Sequence, residues 1–314
     1  MSIFDRSVIV PLLCLFLCGP AQCQKDRIFS IPLDDLKDWS QKVTISVNVE
    51  ILGHSKVHNV DADCEMHFGA HVPSYRGEPD GWVLEPMNLC LESFPGKSGH
   101  SNRDWEDFGT SLTGARVRVD GVPRIWPEHL VGGGPSNPNH AIEIHPVVKL
   151  QRGNKIYDFA TFVYAPEGFP GGVSEGTAQK ILTDTEVEVT ENDGMVEVDF
   201  ASGRIGNFTT LEISVDGDSV EKLSGGHRAD GAVVLSRTQR IPVRLLTIEG
   251  SEADKTIDQF GKSKRHRKTT FDALVLFSLN PEALYKAAKD SHGKQMPVQN
   301  ALQIIVYGQP DTND

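Results

Sequence analysis

Two short stretches of the sequence carry a carboxylate and an imidazole at the same spacing, Glu65-x-His67 and Glu143-x-His145. Residues two apart in a β-strand point to the same side, so each dyad would present both groups together. If the two strands were neighbours, the four side chains would form a His2Glu2 set that suits zinc or another divalent ion. Glu65, His67, Glu143 and His145 are therefore a candidate metal site, and a bound ion with an open position could activate water.

The same dyads also have a plainer interpretation, as ordinary polar residues on the solvent-facing side of half-buried strands. Known zinc signatures such as His-Glu-x-x-His and Cys-x-x-Cys are absent from the sequence. Spacing along the chain does not show that the two strands pair. The sequence favours the plainer interpretation and leaves the metal site as the alternative.

Eight of the eleven histidines fall between positions 54 and 145, close to two predicted connecting segments, 54–62 and 121–139. The second segment, GVPRIWPEHLVGGGPSNPN, is rich in glycine and proline. Long connections without regular structure are often functional. The candidate ligand residues in and beside these segments are His54, His58, Trp126, His129 and His140. That the two segments meet at one site is implied only by the fold resemblance described below.

Short strands would position these residues. Residues 43–51 alternate strictly between apolar and polar side chains, which is typical of a half-buried strand. A short helix is predicted near residues 32–39 and another at 101–108. Further strands are predicted at 63–71, 82–91, 115–120 and 141–150.

The resulting order of three strands, a helix and two strands resembles the OB-fold, a small five-stranded barrel. The resemblance covers residues 25–153 and implies ligand binding on strands two and three, between the loops that join strands one to two and four to five. The stretch HAIEIHPV at 140–147, preceded by Asp61, Asp63 and His67, is similar to a pattern in uncharacterised exported bacterial proteins. That similarity implies no activity.

Residues 154–314 are predicted to form an antiparallel α+β domain, so the fold class is mainly β or α+β. A hairpin is expected at 185–200 with its turn at Asp193-Gly194, and a helix capped by Asn280 is expected to end before Gly293. Weaker helices are predicted at 174–182 and 251–260. Further strands are predicted at 208–215, 232–236, 241–248, 271–279 and 301–307.

Residues 1–23 have the order of a secretory signal: Arg6, then the apolar run VIVPLLCLFL, then small residues. The sequence therefore predicts a secreted or periplasmic protein with no transmembrane segment after cleavage. A lipoprotein with Cys23 as its first residue is an alternative, although Gln22 is larger than that signal requires.

Signal cleavage is predicted after Ala21 or after Cys23. Cleavage after Cys23 leaves only Cys64 and Cys90, which are predicted either to form a disulfide or to remain as two buried thiols. The formal net charge of −12 gives phosphate backbones little attraction, so nucleic acid is not an expected partner. The basic run at 261–268 is interpreted as an exposed loop, with an acidic glycan or lipid head group as the alternative ligand.

Together these features predict an exported binding protein without catalytic chemistry, whose ligand or protein partner the sequence does not identify. The alternative is a metal-dependent hydrolase or nuclease that uses the Glu/His set.

Overall fold

The structure is a computed structural model that describes residues 27–59, 63–159, 172–263 and 268–308. The predicted signal sequence, Asp61 and most of the basic run at 261–268 lie outside these residues. The first elements in chain order are β1 (Ile28–Pro32), α1 (Leu33–Trp39), β2 (Ile45–His54), β3 (Phe68–His71), β4 (Gly81–Leu84), α2 (Asn102–Leu112), β5 (Arg116–His129), β6 (His140–Arg152), β7 (Lys155–Asp158) and α3 (Glu175–Asp184).

The remaining elements are β8 (Glu186–Asn192), β9 (Met195–Ser202), β10 (Phe208–Asp216), β11 (Glu221–Leu223), β12 (Gly226–Val234), β13 (Arg240–Ile248), α4 (Glu252–Lys262), β14 (Lys268–Leu279), α5 (Pro281–Ser291), β15 (Met296–Pro297) and β16 (Leu302–Gly308). The predicted mainly β or α+β class is confirmed. None of the helices in the described part of the chain has the length and apolarity needed to cross a lipid bilayer.

The first barrel is a closed circuit of five strands in the order β2-β3-β4-β6-β5, and β5 pairs back with β2. Strands β4 and β6 are parallel, and the other pairs are antiparallel. Helix α2 lies between the third and fourth strands along the chain. This arrangement is consistent with the predicted OB-like barrel.

Strand β5 is longer than the predicted strand at 115–120. It continues through Gly121 and Pro123 to His129, with irregular pairing to β6 at both residues. A Cβ on Gly121 would stand 2.4 Å from the carbonyl oxygen of Pro146, so glycine allows the close approach of β6. The connection to β6 is therefore only residues 130–139 instead of the predicted 121–139.

The second barrel has the same strand order as the first. Strands β10, β12, β13, β16 and β14 close into a circuit, and β13 and β16 are parallel. Helix α4 again lies between the third and fourth strands of the barrel. The sequence predicted these strands individually, but alternation along the chain did not show that they close into a barrel with one parallel pair.

A smaller sheet in the order β1-β9-β8-β15 joins the beginning of the described chain to its second half. The β8–β9 hairpin turns through Asp193 (φ 53°) and Gly194 (φ 78°), as the Asp-Gly pair predicted. Strand β1 pairs with β9 along its whole length, and α1 contacts α5. The division into domains at 25–153 and 154–314 stays a prediction, and the β1–β9 pairing crosses it.

Strand β5 carries the packing between the two barrels. The Trp126 ring stacks on Phe277 of β14 with centroids 6.3 Å apart, and meets Phe200 of β9 edge-on at 5.8 Å. Arg124 donates from Nε to the Phe277 carbonyl oxygen at 2.8 Å. One face of β5 and β6 is therefore turned toward the second barrel, and we call this contact region the junction.

Candidate functional site

Both faces of β6 are buried over residues 140–147. Ile142 and Ile144 belong to the hydrophobic core, and the alternate residues Glu143 and His145 point to the other face. There the His145 ring packs edge-on against Phe208 and Tyr307 of the second barrel, at centroid distances of 5.4 and 5.9 Å. The polar side of this strand therefore faces the junction, and it does not face solvent.

His145 lies at the centre of a buried group of carboxylates. Its Nε2 is 2.9 Å from Oε1 of Glu65, and its Nδ1 is 2.5 Å from Oε2 of Glu85 and 3.6 Å from Oε2 of Glu143. None of these four side chains is more than 6% exposed. Nε2 of His145 is thus hydrogen-bonded to Glu65, and Nδ1 lies close to two further carboxylates without a hydrogen bond of good geometry.

Arg124 extends the group on the other side of Glu143. Its Nη1 donates to Oε2 of Glu143 at 2.5 Å, and its Nη2 donates to Oδ1 of Asn207 at 2.7 Å. His140 places Nε2 3.4 Å from Oε1 of the same glutamate. We call Glu65, Glu85, Arg124, His140, Glu143 and His145 the junction network.

Burial and mutual charge set the protonation of this network. Burial raises the pKa of Glu65 to about 8, against the lowering effect of His145. Burial works in the same direction on Glu143, but Arg124 outweighs it and holds the pKa of Glu143 well below its ordinary value. For Glu85, burial and Glu143 are outweighed by His67 and His145, so its pKa falls to about 2.

Burial disfavours the charged form of His145, but Glu65 leads the interactions that raise its pKa well above the ordinary value. His145 and Arg124 thus offset the carboxylates gathered around them. This balance explains how so many ionisable groups lie in one buried place, because an uncompensated buried charge is costly.

The structure brings the predicted metal set only partly together. Glu65, Glu143 and His145 are in contact, whereas His67 turns toward Glu85, with Nε2 3.4 Å from Oε1. Glu85 was missed from the sequence because it follows the short strand β4 and has no histidine two residues away. That His2Glu2 site remains a prediction.

The predicted ligand residues lie in four separate places. His129 and His140 stack at a centroid distance of 5.2 Å, and Trp126 is fully buried in the junction. His54 contacts Thr110 of α2 through Nε2 at 3.1 Å, and His58 contacts Asp63 through Nδ1 at 2.6 Å. The two connecting segments therefore do not form a common open pocket around all five side chains.

The connection 130–139 instead lies on the outer face of the first barrel. A Cβ on Gly69 of β3 would stand 1.9 Å from the carbonyl oxygen of Pro135, and one on Gly81 of β4 would stand 2.5 Å from that of Asn139. A Cβ on Gly53 of β2 would likewise stand 2.9 Å from the Pro135 ring, so glycine allows this ring to lie against the strand. This is the face on which OB-like barrels bind ligands, and here the chain's own connection covers it.

The corresponding face of the second barrel is open. A cleft of about 860 Å³ lies between the outward face of β12 and β13, helix α5 and the segment 296–300. A second cleft of about 640 Å³ adjoins it and extends toward β8. Pro242, Pro297, Gln299 and Asn300 line both, so the two form one elongated depression. We call it the barrel-2 cleft.

Charged residues of both signs line the larger part of the cleft. Arg228 pairs with Glu221 and Glu282, at 2.7 Å each. The buried Arg244 donates from Nη2 to the Ser40 carbonyl oxygen at 2.7 Å and from Nη1 to Oδ1 of Asn280 at 3.3 Å. Burial lowers the pKa of Arg244 to about 10. These partners hold the side chains in fixed positions along the cleft.

No sequence signal pointed to this cleft, because its residues come from separate elements and no motif joins them. Element order is the one available signal, and the OB-fold resemblance based on it covers only residues 25–153. Comparison with known proteins adds no family: no protein-family model matches the chain, and a search of curated proteins finds no significant relative.

Proposed function

We propose that this chain is an exported binding protein whose ligand occupies the barrel-2 cleft. One observation carries the proposal: of two barrels with the same strand order, the first has its ligand face covered by residues 130–139, while the second leaves that face open. Its volume lies in the range of ligand-binding pockets. The Cys64–Cys90 disulfide favours export, because such bonds persist in oxidising compartments.

The lining favours an elongated, polar and uncharged ligand, and we propose an oligosaccharide. Three cationic and three anionic side chains line the larger cleft, so their charges balance and an anionic chain gains little. Hydroxyl groups both donate and accept hydrogen bonds, which suits such a mixed lining. Oligosaccharides are among the ligands that OB-like barrels bind on this face. The six residues are Arg228, Asp230, Arg244, Glu282, Lys286 and Asp290.

A hydrolase that uses Glu65, His67, Glu143 and His145 is less favoured by the geometry. Three of these side chains are at most 2% exposed, and the second barrel covers them. A substrate would therefore have to separate the barrels to reach them.

Titration calorimetry of the full chain with neutral hexasaccharides (cellohexaose, chitohexaose and maltohexaose) tests the binding site. We expect saturable binding of at least one of them. Ala287→Trp fills the cleft from α5 and should abolish binding, whereas Lys289→Trp lies on the same helix outside the cleft and should not. Absence of binding by all three sugars, or unchanged binding by Ala287→Trp, would overturn the proposal.

Export is tested separately by expressing the complete chain and sequencing the amino terminus of the product. We expect processed protein outside the cytoplasm that begins at residue 22 or 24. Unprocessed protein confined to the cytoplasm would contradict export without affecting the binding site.

A further inference from the structure

Three possible metal ligands lie together in the connection between β2 and β3, outside both the junction network and the barrel-2 cleft. They are His58, Asp63 and His67, and one ligand atom from each lies within 4.8 Å of the other two. The two imidazole rings meet edge-on with centroids 4.8 Å apart, and Nδ1 of His58 is 2.6 Å from Oδ1 of Asp63.

We propose that His58, Asp63 and His67 bind a divalent transition-metal ion of the zinc class. Two imidazoles and one carboxylate are a donor set that zinc accepts, leaving a fourth position for water or another ligand. Zinc bonds of 2.0–2.2 Å place neighbouring ligand atoms about 3.4 Å apart, so small side-chain rotations close the site. The three side chains are 20–31% exposed, so an ion reaches them from solvent.

The backbone around these residues is held in place before any ion binds. The His58 amide donates to the Glu65 carbonyl oxygen at 2.8 Å, and the Ser55 amide donates to that of His67 at 2.9 Å. Cys64, next to Asp63, is tied to Cys90 by the disulfide. The ends of the connection that carry the three ligands are therefore fixed relative to each other, which reduces the ordering that binding requires.

Glu85 supplies a positioning contact of the kind found behind metal-bound histidines. Its Oε1 lies 3.4 Å from Nε2 of His67, and we assign the other ring nitrogen, Nδ1, to the ion. Histidine ligands usually donate their second nitrogen to a carboxylate or carbonyl group, and this contact fixes the ring and raises its basicity. Glu85 also contacts His145, so the site is anchored to the junction network.

The buried group of Glu65, Glu85 and His145 also has ligand atoms close together, but it is the weaker candidate. Nε2 of His145 faces Glu65, and Nδ1 faces Glu85 on the opposite edge of the ring. Each ring nitrogen therefore already lies against a carboxylate that an ion would have to displace. A zinc ion there would have to displace the imidazolium proton from a charge-balanced cluster.

Chelator-treated full-length protein, titrated with Zn²⁺ alone and analysed for bound metal, tests the proposal. We expect one Zn²⁺ per chain, lost in His58→Ala and in His67→Ala. His71→Ala is the matched control: His71 lies on β3 and faces Asp80 at 3.5 Å but has no second histidine beside it, so zinc binding should persist. Glu65→Gln should also retain zinc.

A second measurement keeps the test decisive if a variant fails to fold. Adding Co²⁺ to the wild-type protein should broaden the imidazole resonances of His58 and His67 first. Absence of zinc binding, retention of zinc by His58→Ala, or broadening confined to His140 and His145 would each overturn the assignment.

Discussion

The two barrels share strand order, the parallel pair and the position of one helix. The same outer face is nevertheless covered in the first barrel and open in the second. In the first barrel, residues 130–139 lie on that face, against glycines of β2, β3 and β4. In the second barrel, the corresponding connection contains helix α5, which begins at the Asn280 cap and stands beside the face. The two barrels therefore share a strand order, and the connection decides whether this outer face is open.

The barrels also differ in how their charged residues are surrounded. Arg124 of the first barrel is fully buried with Glu143, because the second barrel covers that side of β5 and β6. Arg228 of the second barrel is 31% exposed and pairs with glutamates at the edge of the cleft. An ion pair of the same residue types thus belongs to the interior in one case and to the edge of an open cleft in the other.

The largest expected effect is the loss of stability on replacing Arg124, compared with the loss on replacing Arg228. Arg124→Met removes the guanidinium that faces the buried Glu143 carboxylate, and we expect a loss of about 3–5 kcal/mol in the free energy of unfolding, measured by urea titration. The matched variant Arg228→Met breaks a partly exposed pair and should cost about 0–1 kcal/mol. Equal losses of stability in the two variants would contradict the difference in burial between the two ion pairs. Adding Glu143→Met to Arg124→Met should restore part of the stability.

The disulfide should account for the next largest difference. Cys64 and Cys90 are 26 residues apart and join the β2–β3 connection to the segment after β4. Replacing both with alanine should cost about 3–4 kcal/mol, because the unfolded chain regains the entropy of the open loop. Urea titration of the variant against the oxidised wild type measures this cost. A loss well below 1 kcal/mol would indicate that the first barrel does not depend on this bond.

A smaller effect tests the covering of the first barrel. Gly69→Ala places a methyl group 1.9 Å from the Pro135 carbonyl oxygen and should displace residues 130–139, at a cost of about 1–3 kcal/mol. Gly133→Ala is the control in the same connection, since its Cβ would meet nothing within 4 Å. Urea midpoints report stability, and hydrogen exchange of residues 130–139 should rise only in Gly69→Ala. Unchanged exchange in that variant would show that the connection does not rest on β3.

Over a single pH unit, the smallest effect is the pH dependence that the junction network confers. Glu65 holds its proton up to about pH 8 in the folded chain, whereas an unfolded glutamate loses it near its ordinary 4.5. The folded state therefore binds more protons between these values, and stability should fall as pH rises, by at most about 1.4 kcal/mol per pH unit. The raised pKa of His145 acts with the same sign above its ordinary 6.5.

Urea titrations between pH 5 and pH 9 check this dependence. Glu65→Gln keeps a neutral group at the same place and should flatten the decline relative to wild type. A decline of equal slope in Glu65→Gln would show that Glu65 is not its source.

Local chemistry in the sequence determined much of the secondary structure. Alternation over residues 43–51 placed β2, although the predicted strands 63–71 and 82–91 are shorter in the structure, as β3 and β4. The Asp193-Gly194 pair placed a hairpin turn, and Asn280 placed the start of α5 because its side chain accepts from the amides of Glu282 and Ala283. Cys64 and Cys90 were the one pair left for a disulfide, and the structure joins them. Each of these features depends on neighbours along the chain or on a count of residues.

Only the tertiary structure decided what covers each strand. The period of two separates the faces of β6 in the sequence, but it does not say that the second barrel buries Glu143 and His145 as the first buries Ile142 and Ile144. Nor could it show that residues 130–139 would lie on Gly69 and Gly81, or that α5 would leave the second face open. These outcomes depend on contacts between residues far apart in the chain, which local patterns do not encode.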